Sequence, residues 1–441
     1  MIQMVRTLLK SVREFKRSAL LTPVYVVGEV LLEALIPFVI AQLVNQIEAG
    51  CGLNVILMYG GILIGLSLFS LLPAFVITGV MDSRIRDVFP SSRAALALML
   101  DTCVMFLGMS VFLRMDMLMC MFIVLALNSF FVAWKGRGDT RLQVWLIPVW
   151  TFLALFTKGP VGLLVPPVSI LCFLAVKGDL PSAGKFLGWR FWLVLALLCA
   201  LWFTGVYFDG GRQYLDNLLI HQTVGRAVNS FHHAEPFWYY LTAVWYCLAP
   251  YCLLLAGCLA TSVAVRRRRS DEEVFFATIV ISTLVMLSAF SAKLAIYLAP
   301  VFPFMVYLFP FVEKRIGEKP WMKWALAVPA ALLVAAALAA LAAVLFFRDA
   351  APVSSLLGQY PFASSPWVLA ALIVLALCNL FAVILIARRF DWQLPVALMA
   401  CSLLMACLLC GPVVPEINKY TAYGALCREI PGNTTDRKSV V

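Results

Sequence analysis

Charged residues are scarce in this sequence. Aspartate, glutamate, lysine and arginine make up 13% of the 441 residues, and 63% of the residues are hydrophobic. A typical soluble domain carries roughly 25% charged residues, so the composition excludes an ordinary soluble protein. Apolar runs of about 17 to 25 residues recur from end to end, which is the length that crosses a hydrocarbon core of roughly 30 Å. We therefore predict an all-α, polytopic integral membrane protein.

Several sequence signals of other protein classes are missing. No GxxxxGK[ST] phosphate loop occurs, so this chain by itself cannot drive ATP-powered transport. Residues 1–17 are basic and precede an apolar run too long for the core of a signal peptide, so a cleaved leader is not expected. The one CxxC spacing, Cys407 to Cys410, lies inside an apolar run without a second pair. That position argues against a zinc site and against a disulfide framework.

Basic residues alternate between the loops that join the apolar runs. Every second loop carries a group of lysines and arginines, such as Arg266–Arg269, and the intervening loops carry few. By the positive-inside rule the cation-rich loops are cytoplasmic, which places the N-terminus in the cytoplasm and the C-terminus outside it. The same rule accounts for most of the net charge of +11, so the charge does not call for a nucleic-acid partner. About thirteen spans are predicted, near 19–44, 54–80, 94–113, 117–134, 142–157, 160–176, 191–208, 237–264, 274–297, 298–312, 322–347, 366–388 and 393–414.

The longest polar interruption begins near Asp209 and includes residues 221–241, which read HQTVGRAVNSFHHAEPFWYYL. Ionisable groups are costly in lipid, so a polar interval of this length predicts one wall of an extracytoplasmic active site. Its candidate substrate-binding and catalytic residues are His221, Arg226, His232, His233, Glu235 and Trp238. A divalent metal on His232, His233 and Glu235 stays open, because adjacent histidines do not fix a coordination geometry. Trp238 is equally typical of an interfacial aromatic belt.

Three shorter motifs fall on the same predicted outer side. FLRMDML places Arg114 and Asp116 at a span end, where an interfacial ion pair is the simpler interpretation. FTKGP places Lys158 at the next outer turn, where a lysine can reach the membrane surface without any other role. In SAKLAIYLAP, Lys293 and Tyr297 are four residues apart, which on a helix puts them on one face. An ammonium and a phenol placed together suit the phosphate of a lipid carrier.

Taken in order along the chain, these motifs resemble the membrane glycosyltransferases of the GT-C type, in particular the aminoarabinose transferases and protein mannosyltransferases. The resemblance covers about residues 88–430 and rests on R-x-D, TKGP, H-Q-x-x-x-R with PFWYY, and S-x-K-x-x-x-Y-x-x-P. Such enzymes take a sugar from a polyprenyl-phosphate carrier and transfer it, outside the cytoplasm, to lipid A, protein or glycan.

The resemblance also implies roles for individual residues of this sequence. Asp116 matches an acidic position near the family's site, and basic or carrier-facing positions are matched by Lys158, Arg226 and Lys293. Lys293 and Tyr297 would bind the carrier phosphate and stabilise it as a leaving group. Arg212 would complete a cationic basin for the head group. The expected location is the bacterial inner membrane.

The first part of the chain departs from this family. The family's first outer loop, with its acidic pair, is missing, and Glu48 is the one acid between the first two spans. Residues 1–70 resemble instead the elbow helix and first hairpin of an ABC exporter permease. The predicted division is therefore 1–85 permease-like, 86–414 transferase core and 415–441 the start of an outer segment, whose last six residues, DRKSVV, resemble translated adapter sequence.

Two functional hypotheses follow from this mixture of features. The first is a lipid-phosphate-dependent glycosyltransferase, inactive if nothing replaces the missing acids. Asp116 is then the first candidate for the base, with Asp209, Asp216 and Glu235 after it. The second is a transmembrane subunit or fragment of an ABC-type exporter that depends on a partner ATPase.

Overall fold

The computed structural model describes residues 71–111, 115–216, 235–265, 268–290, 293–317, 319–388 and 391–413, with scattered positions between 54 and 65. The side chains of residues 205–216 lie outside this description. Two compact units make up the chain, Met1–Glu318 (unit 1) and Lys319–Val441 (unit 2). Within the described ranges the secondary structure is helical, and no β-strand occurs. The prediction of an all-α fold is confirmed.

Helices follow one another with short connections. In unit 1 they are α1 (Leu72–Ile85), α2 (Arg93–Asp101), α3 (Val104–Val111), α4 (Met115–Trp134), α5 (Thr140–Lys158), α6 (Pro160–Lys177), α7 (Ala183–Leu187), α8 (Trp189–Asp216), α9 (Tyr239–Cys247), α10 (Cys252–Ala264), α11 (Asp271–Ala289) and α12 (Val301–Ile316). In unit 2 they are α13 (Pro320–Phe346), α14 (Ala351–Gln359), α15 (Pro366–Arg388) and α16 (Gln393–Cys410). One-turn 3-10 helices occur between several of them.

Within the described ranges, eight segments are long and apolar enough to cross a membrane. They are α4, α5, α6, residues 180–204, α11, α13, α15 and residues 393–413. A ninth span is possible if α2 and α3, which meet at a bend of 76°, cross together. These segments agree with the predicted spans. The total of about thirteen and the sides of the two termini stay predictions, and the span at 19–44 lies outside the described residues.

Two predicted spans are wrong in their extent. The span at 237–264 is two helices, because α9 ends at Cys247 and α10 begins only at Cys252. Pro250 lies in the break, and proline has no N–H to continue a helical hydrogen-bond ladder. The span at 274–297 ends early, since Phe290 already has extended dihedral angles (φ −80°, ψ 146°). Hydropathy alone does not register either break, because most of the residues at 248–251 and 290–297 are apolar.

The core of unit 1 is built around α4. Its membrane-length segment is 78% buried, the largest share among the candidate spans of the described chain. Near its end, Phe131 stacks on Phe275 of α11 with ring centroids 4.4 Å apart, and Phe130 meets the edge of Phe173 of α6 at 5.8 Å. Buried aromatic side chains contribute large contact areas in such pairs. These contacts hold α4, α6 and α11 together.

The end of unit 1 where α4 finishes and α11 begins is called the cation-rich end. There Asp271 accepts from Lys135 and Lys177, which follow α4 and close α6. Acidic side chains are favoured in the first turn of a helix, and α11 opens with Asp271, Glu272 and Glu273. The ion pairs therefore tie three helix ends together.

Unit 2 packs α15 between α13 and α16. The contact of α15 with α16 includes one buried polar pair, in which Asn379 Nδ2 donates to Ser402 Oγ at 2.9 Å. The three-part domain division stays a prediction. Its permease-like segment lies mostly outside the described residues, and α1, the described part of it, packs on α4 and α2.

Candidate active site

Between α11 and α12, the described residues Phe290 and 293–300 are not α-helical, and this stretch is called the 290–300 connector. Leu294 is extended (φ −133°, ψ 137°), Ala295–Leu298 form one 3-10 turn, and Pro300 caps α12. Lys293 and Tyr297 therefore do not share a face of an α-helix, and that prediction is wrong. The 3-10 turn places Tyr297 by a tighter geometry, while Lys293 precedes the turn on extended backbone.

Lys158 joins three elements beside this connector. Its ammonium pairs with the carboxylate of Asp116 and lies 5.5 Å from the ring centroid of Tyr297. That distance is within the roughly 6 Å over which a cation is attracted to an aromatic face. Asp116 stands in the first turn of α4 and Lys158 in the last turn of α5, so each charge lies where the helix dipole favours it. The two helices and the 3-10 turn meet at this point.

The sequence folds Lys158 into this place through the turn that follows it. Gly159 has φ 94°, a value that L side chains rarely adopt, and Pro160 begins α6 directly afterwards. The Lys158 side chain is 16% exposed and that of Asp116 only 1%. A carboxylate this buried is stabilised by its cationic partner, because an unpaired charge in a low-dielectric interior is costly.

Further contacts hold the connector to neighbouring helices. Cys120 lies one turn after Asp116, and its thiol donates to the carbonyl oxygen of Ala299 at 3.4 Å. On another side α9 packs against the 3-10 turn, with Tyr240 fully buried. The sequence analysis included Tyr240 in the aromatic run PFWYY but gave no role to Cys120. Cys120 could have been found from its spacing of four residues from Asp116, which places it on the same helix face.

Lys293 is buried, with 4% of its surface exposed, although it belongs to a loop. Its ammonium donates a hydrogen bond of 2.8 Å to the backbone carbonyl oxygen of Glu235. Glu235 itself is exposed, and α9 begins four residues later at Tyr239. A lysine ammonium has three N–H donors, so this contact leaves it able to bind a further acceptor. This hydrogen bond ties the backbone at Glu235, just before the aromatic residues 237–240, to the connector.

The structure thus brings together Asp116, Lys158 and Tyr297, and separately Lys293 and Glu235, around one connector. Trp238 lies near the same helix start, 54% exposed, with its ring edge-on to Phe237. The remaining predicted site residues fall outside the described residues or have side chains outside them: Arg114, Arg212, His221, Arg226, His232 and His233. Their roles, and those of Asp209 and Asp216, stay predictions.

No metal-binding group emerges in the part of the chain that the structure describes. Those residues contain no cluster of three or more histidine, cysteine, aspartate or glutamate side chains that could bind an ion. His232 and His233 lie outside the described residues, so a divalent metal bound by these histidines stays an open alternative.

An apolar cavity of about 510 Å³ lies among α9, α10, α11 and α12. Its lining includes Leu241 and Trp245 of α9, the helix that starts next to the Glu235–Lys293 hydrogen bond. Ile281 of α11 and Met305 of α12 form other parts of the wall. This cavity is suited to an aliphatic chain rather than to a polar ligand.

No protein-family model and no curated protein matches the sequence. Among solved structures, the chain is similar to ArnT from Cupriavidus metallidurans bound to undecaprenyl phosphate, with a TM-score of 0.63 and 18% identity over 84% of this chain and 67% of that one. It is also similar to the same protein in the apo state, with a TM-score of 0.59 and 20% identity over 78% of this chain and 62% of that one. The chain spans about two thirds of the ArnT length. The permease-like character of residues 1–70 stays a prediction. This chain is a multi-pass membrane protein with the fold found in ArnT.

Proposed function

We propose that this chain is a glycosyltransferase that moves a sugar from a polyprenyl-phosphate donor to an acceptor outside the cytoplasm, in the bacterial inner membrane. The observation that carries the proposal is the pair of little-exposed lysines, Lys158 and Lys293, held beside one connector in a GT-C fold. A similar structure was determined with undecaprenyl phosphate bound. Two such cations suit a polyprenyl phosphate, because the phosphate of this lipid lies at the membrane surface and accepts charge-assisted hydrogen bonds there.

In the proposed reaction, an acceptor hydroxyl or phosphate oxygen attacks the anomeric carbon of the sugar. A bond forms between that carbon and the acceptor oxygen, and the bond from the carbon to the carrier phosphate oxygen breaks. The electron pair of the broken bond goes to the phosphate, and the acceptor proton, where there is one, goes to a base. Lys293 would bind the phosphate directly and stabilise the charge that develops on it.

The two candidate carboxylates have different surroundings, which suggests different roles. Asp116 is buried and paired with Lys158, so it is suited to hold that ammonium in place. Glu235 is exposed, and its own backbone holds Lys293. A general base must come within hydrogen-bond reach of the acceptor proton, and an exposed carboxylate can do so. We therefore assign Asp116 a positioning role and Glu235 the role of base.

The apolar cavity among α9, α10, α11 and α12 is the proposed binding site for the lipid part of the donor. Its lining is almost wholly apolar, and α9 connects it to the lysine that would hold the phosphate. A polyprenyl chain entering this cavity would leave its phosphate near Lys293. Arg212, Arg226, His221, His232, His233 and Trp238 are proposed to shape the sugar and acceptor side, which would include lipid A, protein or glycan acceptors.

The test is sugar transfer in proteoliposomes that contain a radiolabelled polyprenyl-phosphate sugar and extracted envelope lipids or peptides as acceptors. We expect transfer without ATP by the wild-type chain and its loss in Lys293→Ala, while Lys314→Ala, which changes an exposed lysine at the cation-rich end, transfers normally. No transfer by the wild-type chain, or equal transfer by both variants, would overturn the proposal. The exporter hypothesis rests on residues 1–70, almost all outside the described residues, and predicts ATP-dependent export instead.

A further inference from the structure

A second, polar cavity of about 640 Å³ lies at the cation-rich end, between the start of α5 and the segment formed by α7 and the start of α8. Its wall carries three basic side chains, those of Arg141, Lys185 and Arg190. Two tryptophans, Trp145 and Trp189, complete it. Nothing in the proposed transfer reaction uses this cavity, because the connector and its lysines lie at the other end of α5.

The wall of the cavity carries positive charge and no negative charge. No acidic residue lines it, and within the described ranges none of its three basic side chains forms an ion pair. Asp139, the acid nearest to Arg141 along the chain, uses its carboxylate to cap α5 by accepting from the backbone N–H groups of Arg141 and Leu142. Asp179, the acid nearest to Lys185, interacts with that lysine electrostatically from outside the cavity wall, and its carboxylate accepts from Trp134 Nε1 and Ser182 Oγ. Three like charges held close together, with no acid between them in the cavity wall, favour binding of an anion.

The tryptophans indicate that the anion belongs to a lipid. Arg190 lies 5.7 Å from the ring centroid of Trp189, so its guanidinium is held at the aromatic face while the ring remains 70% exposed. Trp145 is 48% exposed on α5. Exposed tryptophans at the end of a membrane span are typical of the head-group region.

The surface that continues from this cavity is apolar. Leu193, Leu197 and Leu201 follow Trp189 at intervals of four residues along α8, and all three are exposed. Residues four apart lie on one face of a helix, so they form a stripe that begins at the cavity. The segment that carries the stripe is a candidate span of which only 17% is buried. A soluble anion would have no use for such a stripe, whereas the acyl chains of a lipid would lie along it.

We propose that this cavity binds the head group of an anionic phospholipid, with the phosphate between Arg141, Lys185 and Arg190 and the acyl chains along α8. The ligand is a structural or regulatory lipid of the leaflet at the cation-rich end, not the sugar donor. Basic cavities between membrane helices on this side of a protein are a recurring way to bind anionic lipid head groups. The site is independent of the transfer reaction, so either proposal can fail without the other.

Native mass spectrometry of the purified full chain in detergent, titrated with phosphatidylglycerol, tests the site. The pocket variant replaces Arg141, Lys185 and Arg190 by glutamine, and the control variant replaces three exposed cations of unit 1 that do not line the cavity, Arg86, Arg268 and Lys314, by glutamine. We expect one tightly retained phosphatidylglycerol on the wild-type and control chains and at least about tenfold weaker retention on the pocket variant. Phosphatidylcholine should bind all three chains equally.

Other results would overturn the assignment. Equal phosphatidylglycerol retention by the pocket variant would mean that the three cations do not bind the head group. Equal loss in the control variant would reduce the effect to net charge. Displacement of the retained lipid by millimolar inorganic phosphate would identify a site for a soluble anion. A folding defect is separated from a binding defect by Trp189→Leu, which keeps all three charges and should weaken retention less than the triple replacement does.

Discussion

The ammonium of Lys158, in the last turn of α5, pairs with the carboxylate of Asp116, in the first turn of α4, and faces the ring of Tyr297. The carboxylate is buried, the lysine is nearly so, and the aromatic ring belongs to a connector that also carries Lys293. One ion pair therefore couples the ends of two membrane helices to the loop that would bind a phosphate. Substitution of Asp116 should therefore alter the position of Lys158 and, through Tyr297, the position of the connector.

Asp116→Asn is expected to lower transfer by about 100-fold, the loss that misplacement of a reacting group by about 1 Å can cause. The amide keeps the shape of the side chain but leaves the Lys158 ammonium without its counter-charge. Because Asp116 acts through Lys158, kcat and the KM for the donor should both change. The measurement is initial transfer rate against donor concentration in proteoliposomes. Transfer equal to that of the wild-type chain would remove Asp116 from the site.

Lys293→Met tests the lysine that contacts the phosphate in the proposed reaction. The methionine keeps the aliphatic part of the side chain, so packing in the buried position is retained while the charge and its hydrogen bond to the Glu235 carbonyl oxygen are lost. Loss of one group that stabilises developing negative charge commonly lowers kcat by about 100- to 1,000-fold. Lys293→Arg, which restores a cation, should recover part of the rate. A methionine variant as active as the arginine variant would mean that the charge is not used.

Much of the fold follows from the sequence because the physical signals are strong. A run of about 20 apolar residues crosses a bilayer as a helix, since its backbone groups must be satisfied internally. The predicted starts and ends around α4, α5 and α6 differ from the structure by only a few residues. The positions of Asp116 and Lys158 at span ends were predictable for the same reason, because a charge ends an apolar run.

The arrangement within the site was less predictable. The apolar composition of SAKLAIYLAP is equally compatible with a helix and with a connector buried in protein, and periodicity over so few residues does not separate them. Lys293 and Tyr297 were therefore placed on a helix face that does not exist. The contact of Lys158 with Asp116 depends on how α4 packs on α5, which involves residues 42 positions apart and no local pattern.

Replacement of Tyr297 separates its ring from its hydroxyl group. Tyr297→Phe keeps the aromatic face for Lys158 but removes the phenol that is proposed to donate to the phosphate, and one such hydrogen bond contributes about 1 kcal/mol. We expect an approximately fivefold weaker apparent affinity for the donor. Tyr297→Leu also removes the cation–π contact, which contributes about 0.5 to 2 kcal/mol, so the affinity of this variant for the donor should be lower still.

The readout for both variants is the donor KM. Equal donor KM values for Tyr297→Phe and Tyr297→Leu would show that the ring does not help to position Lys158. A phenylalanine variant with the wild-type KM would show that the phenol does not contact the phosphate, and the connector would then bind the carrier through Lys293 alone.

A second buried ion pair provides a matched control for Asp116. At the cation-rich end, Arg315 of α12 donates to both carboxylate oxygens of Glu273, from Nε at 3.0 Å and from the terminal nitrogen at 2.8 Å, with both side chains nearly inaccessible. Ser270 caps the same helix, since its Oγ accepts from the backbone N–H of Glu273 at 3.1 Å. The Arg315 and Glu273 side chains are 8% and 1% exposed, against 16% and 1% for Lys158 and Asp116. The Glu273–Arg315 pair lies at the cation-rich end, and the Asp116–Lys158 pair lies at the other end of α4.

Glu273→Gln is expected to destabilise the protein by about 3 to 5 kcal/mol, because it leaves the Arg315 guanidinium buried and unpaired. Thermal unfolding in detergent should show a clear drop in Tm, while transfer measured well below that Tm stays near the wild-type rate. The double variant Glu273→Leu/Arg315→Met, which removes both charges, should recover stability. Asp116→Asn/Lys158→Met should likewise recover stability but not transfer. If that double variant regained transfer together with stability, the Asp116–Lys158 pair would be structural, as Glu273–Arg315 is, and the lysine that serves the reaction would be Lys293 alone.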